Sequence, residues 1–390
     1  MRTQHRVTFF ALALLLAFGV ALEAGWEEGV AAFQARNYAQ AAEEFRAVVE
    51  EQPEWPGGHR MLGQSLLKLD RNQEALTHLR KAYDLKPDDV AVQMILGQAY
   101  VQSRRYRDAS ELLGKINIAS LPKAQQGALH QMRAIAFDKT GQTQSAIQEL
   151  GRAVQLNPSS ASLQYQYGTM MFNNGDTGDA VQALEKAVSL DSGDTTKLKA
   201  YSDALLRYAR EQRGGAKTAT YQKAVSAASR LVASGDNFEN LMLLGGAQLG
   251  AGAYTDAAGT FQRAVTKNSR DWLPHFYLGQ ALTSAGSFDR AQTAQQAAHD
   301  KPEVADERNR IWSQLGFVYE KQRNFSQAKT AYQRAGDSAG VQRVEQNAEI
   351  EHVNEGLDAE QPEIDRLNAE EEALEEHLKK HEEGEIPPRS

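Results

Sequence analysis

Apolar residues recur along most of the chain at the three- and four-residue spacing of an amphipathic helix. In residues 59–87, "HRMLGQSLLKLDRNQEALTHLRKAYDLKP", this spacing continues on both sides of the turn-like "LDRNQ". The closing proline ends a helix because it lacks an N–H and clashes with the preceding turn. The pattern therefore predicts two helices joined by a short turn.

The same two-helix pattern returns at a nearly constant interval. One small residue of the first helix recurs at steps of 34, 34, 37, 34, 34, 43, 34 and 37 residues. It is Gly29, Gly63, Gly97, Ala134, Gly168, Ser202, Gly245, Gly279 and Gly316 in turn. The second helix keeps an alanine, at Ala41, Ala75, Ala109, Ala146, Ala180, Ala224, Ala257, Ala291 and Ala328. Repetition of one unit predicts a stacked array rather than separate globular domains.

The recurring small residues predict close packing between the paired helices. Glycine inside a helix costs about 1 kcal/mol relative to alanine, so its recurrence indicates a packing role. A side chain larger than alanine in the second helix would separate the helices, at about 1–3 kcal/mol. We assign a structural role in the repeat to Gly63, Ala75, Gly97, Ala109, Ala146, Gly168, Ala180, Gly279, Ala291, Gly316 and Ala328.

The period and these residues resemble the tetratricopeptide repeat (TPR) family. The clearest unit, "WSQLGFVYEKQRNFSQAKTAYQRA" (312–335), holds the family's signature positions in order: Trp312, Leu315, Gly316, Tyr319, Phe325, Ala328, Tyr332 and Ala335. The resemblance covers roughly residues 22–342. It implies an all-α fold, an α-solenoid of about nine helix-turn-helix repeats in a right-handed superhelix, with the first helices lining a concave face.

The pattern divides the chain into four parts. We expect a signal peptide over 1–24, the solenoid over 25–342, a polar capping helix over 343–360, and an acidic tail, helical or disordered, over 361–390. The repeat units lie near 22–55, 56–89, 90–123, 127–160, 161–194, 195–237, 238–271, 272–305 and 309–342.

The sixth unit is longer than the others. Ser202 and Ala224 are 22 residues apart, whereas the corresponding positions elsewhere are 12 apart. The extra residues predict an elongated first helix that ends at Gly214 and Gly215, followed by a second helix that begins near Ala216. The insertion is either a protruding hairpin that adds a contact surface or a surface insertion that costs little loop entropy.

The N-terminal residues are typical of a secretory signal. Arg2 and Arg6 precede an apolar run over 9–22, and small residues allow cleavage after Ala21 or Ala24. The run has 14 residues, fewer than the ~20 that span a bilayer; an uncleaved membrane anchor is the alternative. We expect export to the periplasm or the extracellular side of the cell envelope.

The absence of cysteine and the distribution of charge along the chain exclude several classes of protein. The chain has no cysteine, which excludes disulfides, thiolate zinc sites and a lipidated N-terminal Cys. Of the net charge of −8, residues 343–390 contribute 16 acidic and 5 basic side chains, so the body is near neutral. Neither part shows the basic patch of a nucleic-acid-binding protein.

The acidic tail carries a thin apolar stripe. It consists of Ile364, Leu367, Leu374 and Leu378, and it could pair with another helix or lie on the solenoid. The alternative is a solvated, partly frayed tail.

We find no catalytic pattern and predict neither an enzyme nor a cofactor or metal. His377 and His381 are four residues apart in "HLKKH", but the glutamate of H-E-x-x-H is missing and two ligands are too few for a metal site. The serines are not accompanied by a His/Asp pattern typical of a hydrolase.

The TPR resemblance implies that certain first-helix positions face a concave groove. These positions are Trp26, Phe33, Arg60, Gln64, Lys68, Met94, Gln98, Gln131, Tyr165, Thr169, Phe172, Asn173, Lys199 and Arg207. Aromatic, amide and cationic side chains together suit an extended peptide or a helix. The alternative for Trp26, Phe33, Tyr165 and Phe172 is ordinary packing between repeats.

The sequence thus predicts a non-enzymatic scaffold or adaptor of the cell envelope that binds protein partners in its groove. Two alternatives stay open. One is a self-associating structural protein that uses the acidic C-terminal helix. The other is a metal-dependent enzyme that uses His377 and His381.

Overall fold

The computed structural model describes residues 25–301 and 307–382. The predicted signal peptide, the end of the eighth unit at 302–306, and residues 383–390 lie outside the described part. All regular structure within it is helical, comprising nineteen α-helices and a short 3₁₀ turn at Ile118–Ser120. The prediction of an all-α fold is confirmed.

The first eighteen helices form nine antiparallel pairs, here called pairs 1 to 9, and one long helix follows. The helices are α1 (25–34), α2 (Tyr38–Glu51), α3 (Pro56–Lys68), α4 (Asn72–Leu85), α5 (Val90–Gln102), α6 (Tyr106–Gly114), α7 (Lys123–Lys139), α8 (Thr143–Leu156), α9 (Ala161–Asn174), α10 (Thr177–Leu190), α11 (Thr195–Glu211), α12 (Gly214–Ser234), α13 (Phe238–Gly250), α14 (Tyr254–Lys267), α15 (Leu273–Ser284), α16 (Phe288–His299), α17 (Arg308–Lys321), α18 (Phe325–Ala335) and α19 (Ser338–Glu382).

The described chain forms two compact units that divide inside α11, between Ala204 and Leu205. Within each unit, successive helix pairs pack on one another, with apolar side chains between them. This is the predicted α-solenoid, with about nine repeats along the chain. Among the described residues, no helix has both the length and the apolar character to cross a membrane.

One contact recurs inside the pairs and sets the distance between their helices. In seven of the nine described pairs, the first-helix glycine faces the side chain sixteen residues later in the second helix. A Cβ on Gly97 would lie 2.2 Å from Leu113 Cδ2, and one on Gly245 would lie 2.7 Å from the Phe261 ring. The seven contacts are Gly29–Phe45, Gly63–Leu79, Gly97–Leu113, Gly168–Leu184, Gly245–Phe261, Gly279–Gln295 and Gly316–Tyr332.

Two further features recur in the pairs: a buried alanine in the second helix and a left-handed residue in the turn. The second-helix alanine is fully buried in all nine described pairs. The turn between the helices holds one residue in the left-handed region in every described pair except pair 6. It is Gly141, Gly175, Gly252 or Gly286 in four pairs and Arg36, Asp70, Arg104 or Arg323 in the other four. A left-handed residue ends the first helix and reverses the chain within a short turn.

Pair 6 differs from the prediction in where its extra residues lie. The first helix, α11, ends at Glu211 rather than at the two glycines, and α12 begins at Gly214. The extra length is therefore shared by both helices. Gly214, the first residue of α12, has a φ of 59°, a conformation that glycine adopts without strain. In pair 6 the left-handed residue therefore lies at the start of the second helix and not in the turn that precedes it.

The last helix, α19, is attached to pair 9 by its first turns. Arg343 donates to Glu320 (Nε to Oε1, 3.1 Å) and to the Tyr332 hydroxyl (2.9 Å), and that hydroxyl donates to Glu320 (2.9 Å). Val344 is buried beside them. Residues 343–360 and 361–382 lie on this one helix, which contains Pro362.

A histidine contact joins α3 and α4. The Nδ1 atoms of His59 and His78 are 3.1 Å apart, and His59 Nε2 lies 2.9 Å from the Pro53 carbonyl. Since the carbonyl only accepts, a neutral His59 donates through Nε2, and its Nδ1 accepts from His78. Burial lowers the pKa of His78, and nearby His59 and Arg46 act in the same direction, against Glu74.

The recurring contact predicts opposite effects at two adjacent glycines. Gly245 faces the fully buried Phe261, whereas a Cβ on Gly246 would meet nothing within 4 Å. We expect Gly246→Ala to stabilise the chain by up to about 1 kcal/mol through helix propensity. Gly245→Ala should be about 1–3 kcal/mol less stable than Gly246→Ala because it overpacks the pair. Thermal unfolding followed by circular dichroism measures both; equal stability would contradict the packing role.

The histidine contact predicts acid sensitivity. Because the folded-state pKa of His78 is lowered, its contribution to stability is complete above the unfolded-state value of about 6.5 and is lost as the pH falls below it. We expect His78→Asn to lose less unfolding free energy than the wild type between about pH 7.5 and 5. Urea unfolding at several pH values measures this, with the exposed His352→Asn as control. Parallel pH profiles for His78→Asn and wild type would refute it.

Candidate partner-binding groove

The first helices of pairs 4 and 5, α7 and α9, line a cavity of about 600 Å³. Three predicted groove residues, Tyr165, Thr169 and Asn173, lie in its wall. They follow one another at four-residue spacing and so share one face of α9. Leu150 of α8 also contributes to the wall. The structure thus brings part of the predicted set together at one place.

The cavity also contains residues that the repeat positions did not indicate. On α9 these are Gln166, Met170 and Asn174, each one position after a predicted residue; Ile135 and Asp138 of α7 face them. The lining on α9 is therefore a stripe two residues wide. The groove positions implied by the TPR resemblance cover only one edge of this stripe. Helical periodicity counted from Tyr165 would also have predicted the residues of the neighbouring edge.

The polar groups of the cavity leave one hydroxyl available. Thr169 Oγ1 is buried and has no hydrogen-bond partner, although buried hydroxyl groups usually have one. On the opposite helix, Lys139 Nζ donates to Asp138 (2.9 Å), and this hydrogen bond raises the pKa of Lys139. The wall therefore combines an ammonium group, several amides, an aromatic ring and a threonine whose hydroxyl has no hydrogen-bond partner in the chain.

A second depression, of about 550 Å³, follows the same two helices toward their first turns. Its wall includes Lys123, Gly127 and Gln131 of α7, with Leu163 of α9. Gln131 Nε2 donates to Gln166 Oε1 at 3.0 Å, and this bond links the walls of the two depressions. A ligand longer than the first cavity therefore has a continuing surface along α7 and α9.

A basic cluster borders the cavity at the turn between α5 and α6. Arg104, Arg105 and Arg107 line a third depression of about 420 Å³, together with Lys139, which also lines the main cavity. Arg105 Nε is 2.6 Å from Asp108, which neutralises this arginine. Lys139 is paired with Asp138 in the same way. Arg104 and Arg107 are therefore the cations that make this end of the groove attractive to a carboxylate.

The predicted aromatic residues of pair 1 take part in packing within the chain. The Trp26 ring lies 4.5 Å from the Trp55 ring and 5.3 Å from that of Phe45, and Phe33 lies 5.3 Å from Tyr38. Both Trp26 and Phe33 are partly buried against the core. A role for them in binding stays a prediction.

The other predicted groove residues lie outside the main cavity. Arg60, Gln64, Met94, Gln98, Gln131 and Phe172 are half-buried, whereas Lys68, Lys199 and Arg207 are exposed. Gln131 lines the second depression. No cluster of three or more His, Asp or Glu side chains suited to a metal occurs in the described part of the chain. His377 and His381 belong to α19, but their side chains lie outside the description.

Family comparison agrees with the repeat read from the structure. Tetratricopeptide repeat families match residues 66–132, 132–195, 216–271, 242–305 and 310–335. These segments contain most of the nine pairs. The chain belongs to the tetratricopeptide repeat family.

Several solved structures are similar to this chain at low sequence identity. YrrB, "a TPR protein with an unusual peptide-binding site", is 23% identical over 48% of this chain and 93% of its own, with a TM-score of 0.40. A fragment of MamA from Desulfovibrio magneticus RS-1 is 19% identical over 45% and 97%, with a TM-score of 0.41.

PilW, a "widely conserved type IV pilus biogenesis factor", is 16% identical over 54% of this chain and 92% of its own, with a TM-score of 0.46. A search of curated proteins finds no match.

Proposed function

We propose that this TPR protein is a non-enzymatic scaffold that binds an extended peptide or a helix of a partner protein between α7 and α9. The repeat family supports a role in protein interaction, and its members generally act as scaffolds rather than enzymes. The observation that carries the assignment to this place is the unpartnered, buried Thr169 hydroxyl in a cavity of about 600 Å³.

The cavity defines the chemistry of the peptide that would fit. Tyr165 and Met170 offer apolar surface for one side chain, and the amides of Gln166 and Asn173 can bond to a peptide backbone. Thr169 supplies a further hydroxyl. Arg104 and Arg107 of the neighbouring depression favour an acidic residue at one end. The preferred ligand is therefore a short segment with an apolar anchor followed or preceded by Asp or Glu.

Site-specific photocrosslinking tests this assignment. With a photoreactive phenylalanine at Tyr165, we expect the chain to crosslink to a protein partner in cells. The same group at Tyr254, an exposed tyrosine in the other compact unit, should not crosslink to that partner. Peptides selected on the purified chain should bind Tyr165→Ala at least about tenfold more weakly, since truncating a central aromatic anchor typically costs over 1 kcal/mol.

The controls separate binding from folding. Tyr165→Ala and Tyr254→Ala should both keep the wild-type helical circular-dichroism signal. If Tyr165→Ala unfolds the chain, Thr169→Val serves instead, because it preserves the shape and removes only the hydroxyl. Undiminished binding by both Tyr165→Ala and Thr169→Val would refute the proposed site.

We further propose that the protein acts in the cell envelope after export. The basic residues, the apolar run of 9–22 and the small residues near Ala21 and Ala24 support this proposal. Expressed with its first 24 residues, the protein should appear in the periplasmic or extracellular fraction with a new N-terminus at residue 22 or 25. Without them it should stay in the cytoplasm. Cytoplasmic recovery of both forms would contradict export.

A further inference from the structure

Beyond its attachment to pair 9, helix α19 carries a long, uncovered apolar stripe. Every described side chain between residues 352 and 380 is exposed. The stripe consists of seven large apolar residues that are 42% to 65% exposed: Ile350, Val353, Leu357, Ile364, Leu367, Leu374 and Leu378. Only its last four members suggested a stripe in the sequence. The structure adds the first three because they too are exposed, although Glu351, next to Ile350, still pairs with Arg323 of pair 9.

The spacing of this stripe is that of a coiled-coil seam. From Ile350 to Leu378, the stripe positions are separated alternately by three and four residues. Two positions of this series, Glu360 and Glu371, are occupied by glutamate and not by an apolar residue. This is the heptad pattern in which one helix packs along another. The seam has a length of about 42 Å at the helical rise of 1.5 Å per residue. Such a length is sufficient for four heptads of paired helix.

Proline does not interrupt this face. Pro362 lies two residues before Ile364 and five before Leu367, which places it on the opposite side of the helix. The hydrogen bond that proline cannot donate is therefore lost on the side away from the stripe. The apolar side remains able to receive a partner along its whole length.

The charges around the stripe select the partner. Between residues 345 and 382 there are 14 Asp and Glu but only 3 Lys and Arg. Glu363, Glu370 and Glu375 occupy the positions that flank the seam, where coiled coils place the charges that choose a partner.

A second copy of the chain would oppose these charges with charges of the same sign. In a parallel pair, Glu360 and Glu371 would each face their own counterpart in the seam. In an antiparallel pair with the apolar positions in register, Glu360 would face Glu371. Like charges held this close disfavour pairing.

We infer that residues 350–378 of α19 are a docking surface for a basic amphipathic helix of another protein. The partner helix supplies a complementary Leu and Ile seam and carries Lys or Arg where it faces Glu363, Glu370 and Glu375. It also places cations opposite Glu360 and Glu371. This surface is separate from the cavity between α7 and α9 and does not depend on the function proposed for it.

Two designed peptides of equal length test the inference on the full chain. Both carry Ile and Leu at the seam positions; one has Lys at the flanking positions and opposite the two seam glutamates, and the other has Glu there. Fluorescence anisotropy should show the Lys peptide binding at least about tenfold more tightly than the Glu peptide. Its Kd should increase as the ionic strength is raised, because salt screens the flanking charges.

Variants distinguish seam packing from general attraction to an acidic helix. Leu367→Asn together with Leu374→Asn leaves the charge unchanged, yet it should weaken the Lys peptide at least about tenfold, since the seam anchors are lost. Ala369→Asn with Ala373→Asn, outside the seam, is the matched control and should bind like the wild type. Circular dichroism should show the same helix content in both double variants.

Two results would overturn the inference. One is that the Lys peptide fails to bind, or binds the Leu367→Asn, Leu374→Asn variant as well as the wild type. The other is that light scattering finds the full chain dimeric at neutral pH and monomeric in that variant, which would assign the stripe to a second copy.

Discussion

The contact between a first-helix glycine and the side chain sixteen residues later governs this fold. A glycine weakens its own helix, but here it provides the space that Leu113, Phe261 or Tyr332 fills from the partner helix. The same contact brings the second-helix alanine into the fully buried layer. Because this contact lies inside one pair, about thirty residues of that pair determine the distance between its two helices. The array then forms by stacking of the pairs.

Residues that this contact does not constrain line the cavity between α7 and α9. The α9 face bearing Tyr165, Thr169 and Asn173 points into a cavity, and Gly168, in the same helix, packs against Leu184. One helix thus contributes one residue to the packing of its pair and neighbouring residues to the cavity wall. The Thr169 hydroxyl in this wall is buried without a hydrogen-bond partner, which is uncommon for a buried hydroxyl.

The features that follow from the repeat pattern could be predicted from the sequence. The period predicted the all-α solenoid and the pairing of helices, because thirty-four-residue spacing of small residues has few structural explanations. The period did not reveal Ile135 or Asp138 of α7 in the cavity, since a groove wall depends on how two helices face each other. It also placed the extra length of pair 6 in one helix, whereas the structure divides it, because propensity alone does not locate a turn between two good helical segments. The full stripe on α19 required knowing where burial against pair 9 ends.

Pair 6 is also where the sixteen-residue rule fails. Ser202 replaces the glycine, ten residues are inserted before the second-helix alanine, and the boundary between the two compact units falls within the same α11. In the other pairs, an insertion between the glycine and its partner would move the filling side chain out of its space. Insertions and deletions are therefore compatible with this architecture if they add or remove whole pairs, or if they fall between pairs or in pair 6. In genes that encode arrays of this kind, recombination breakpoints should be found at the same places.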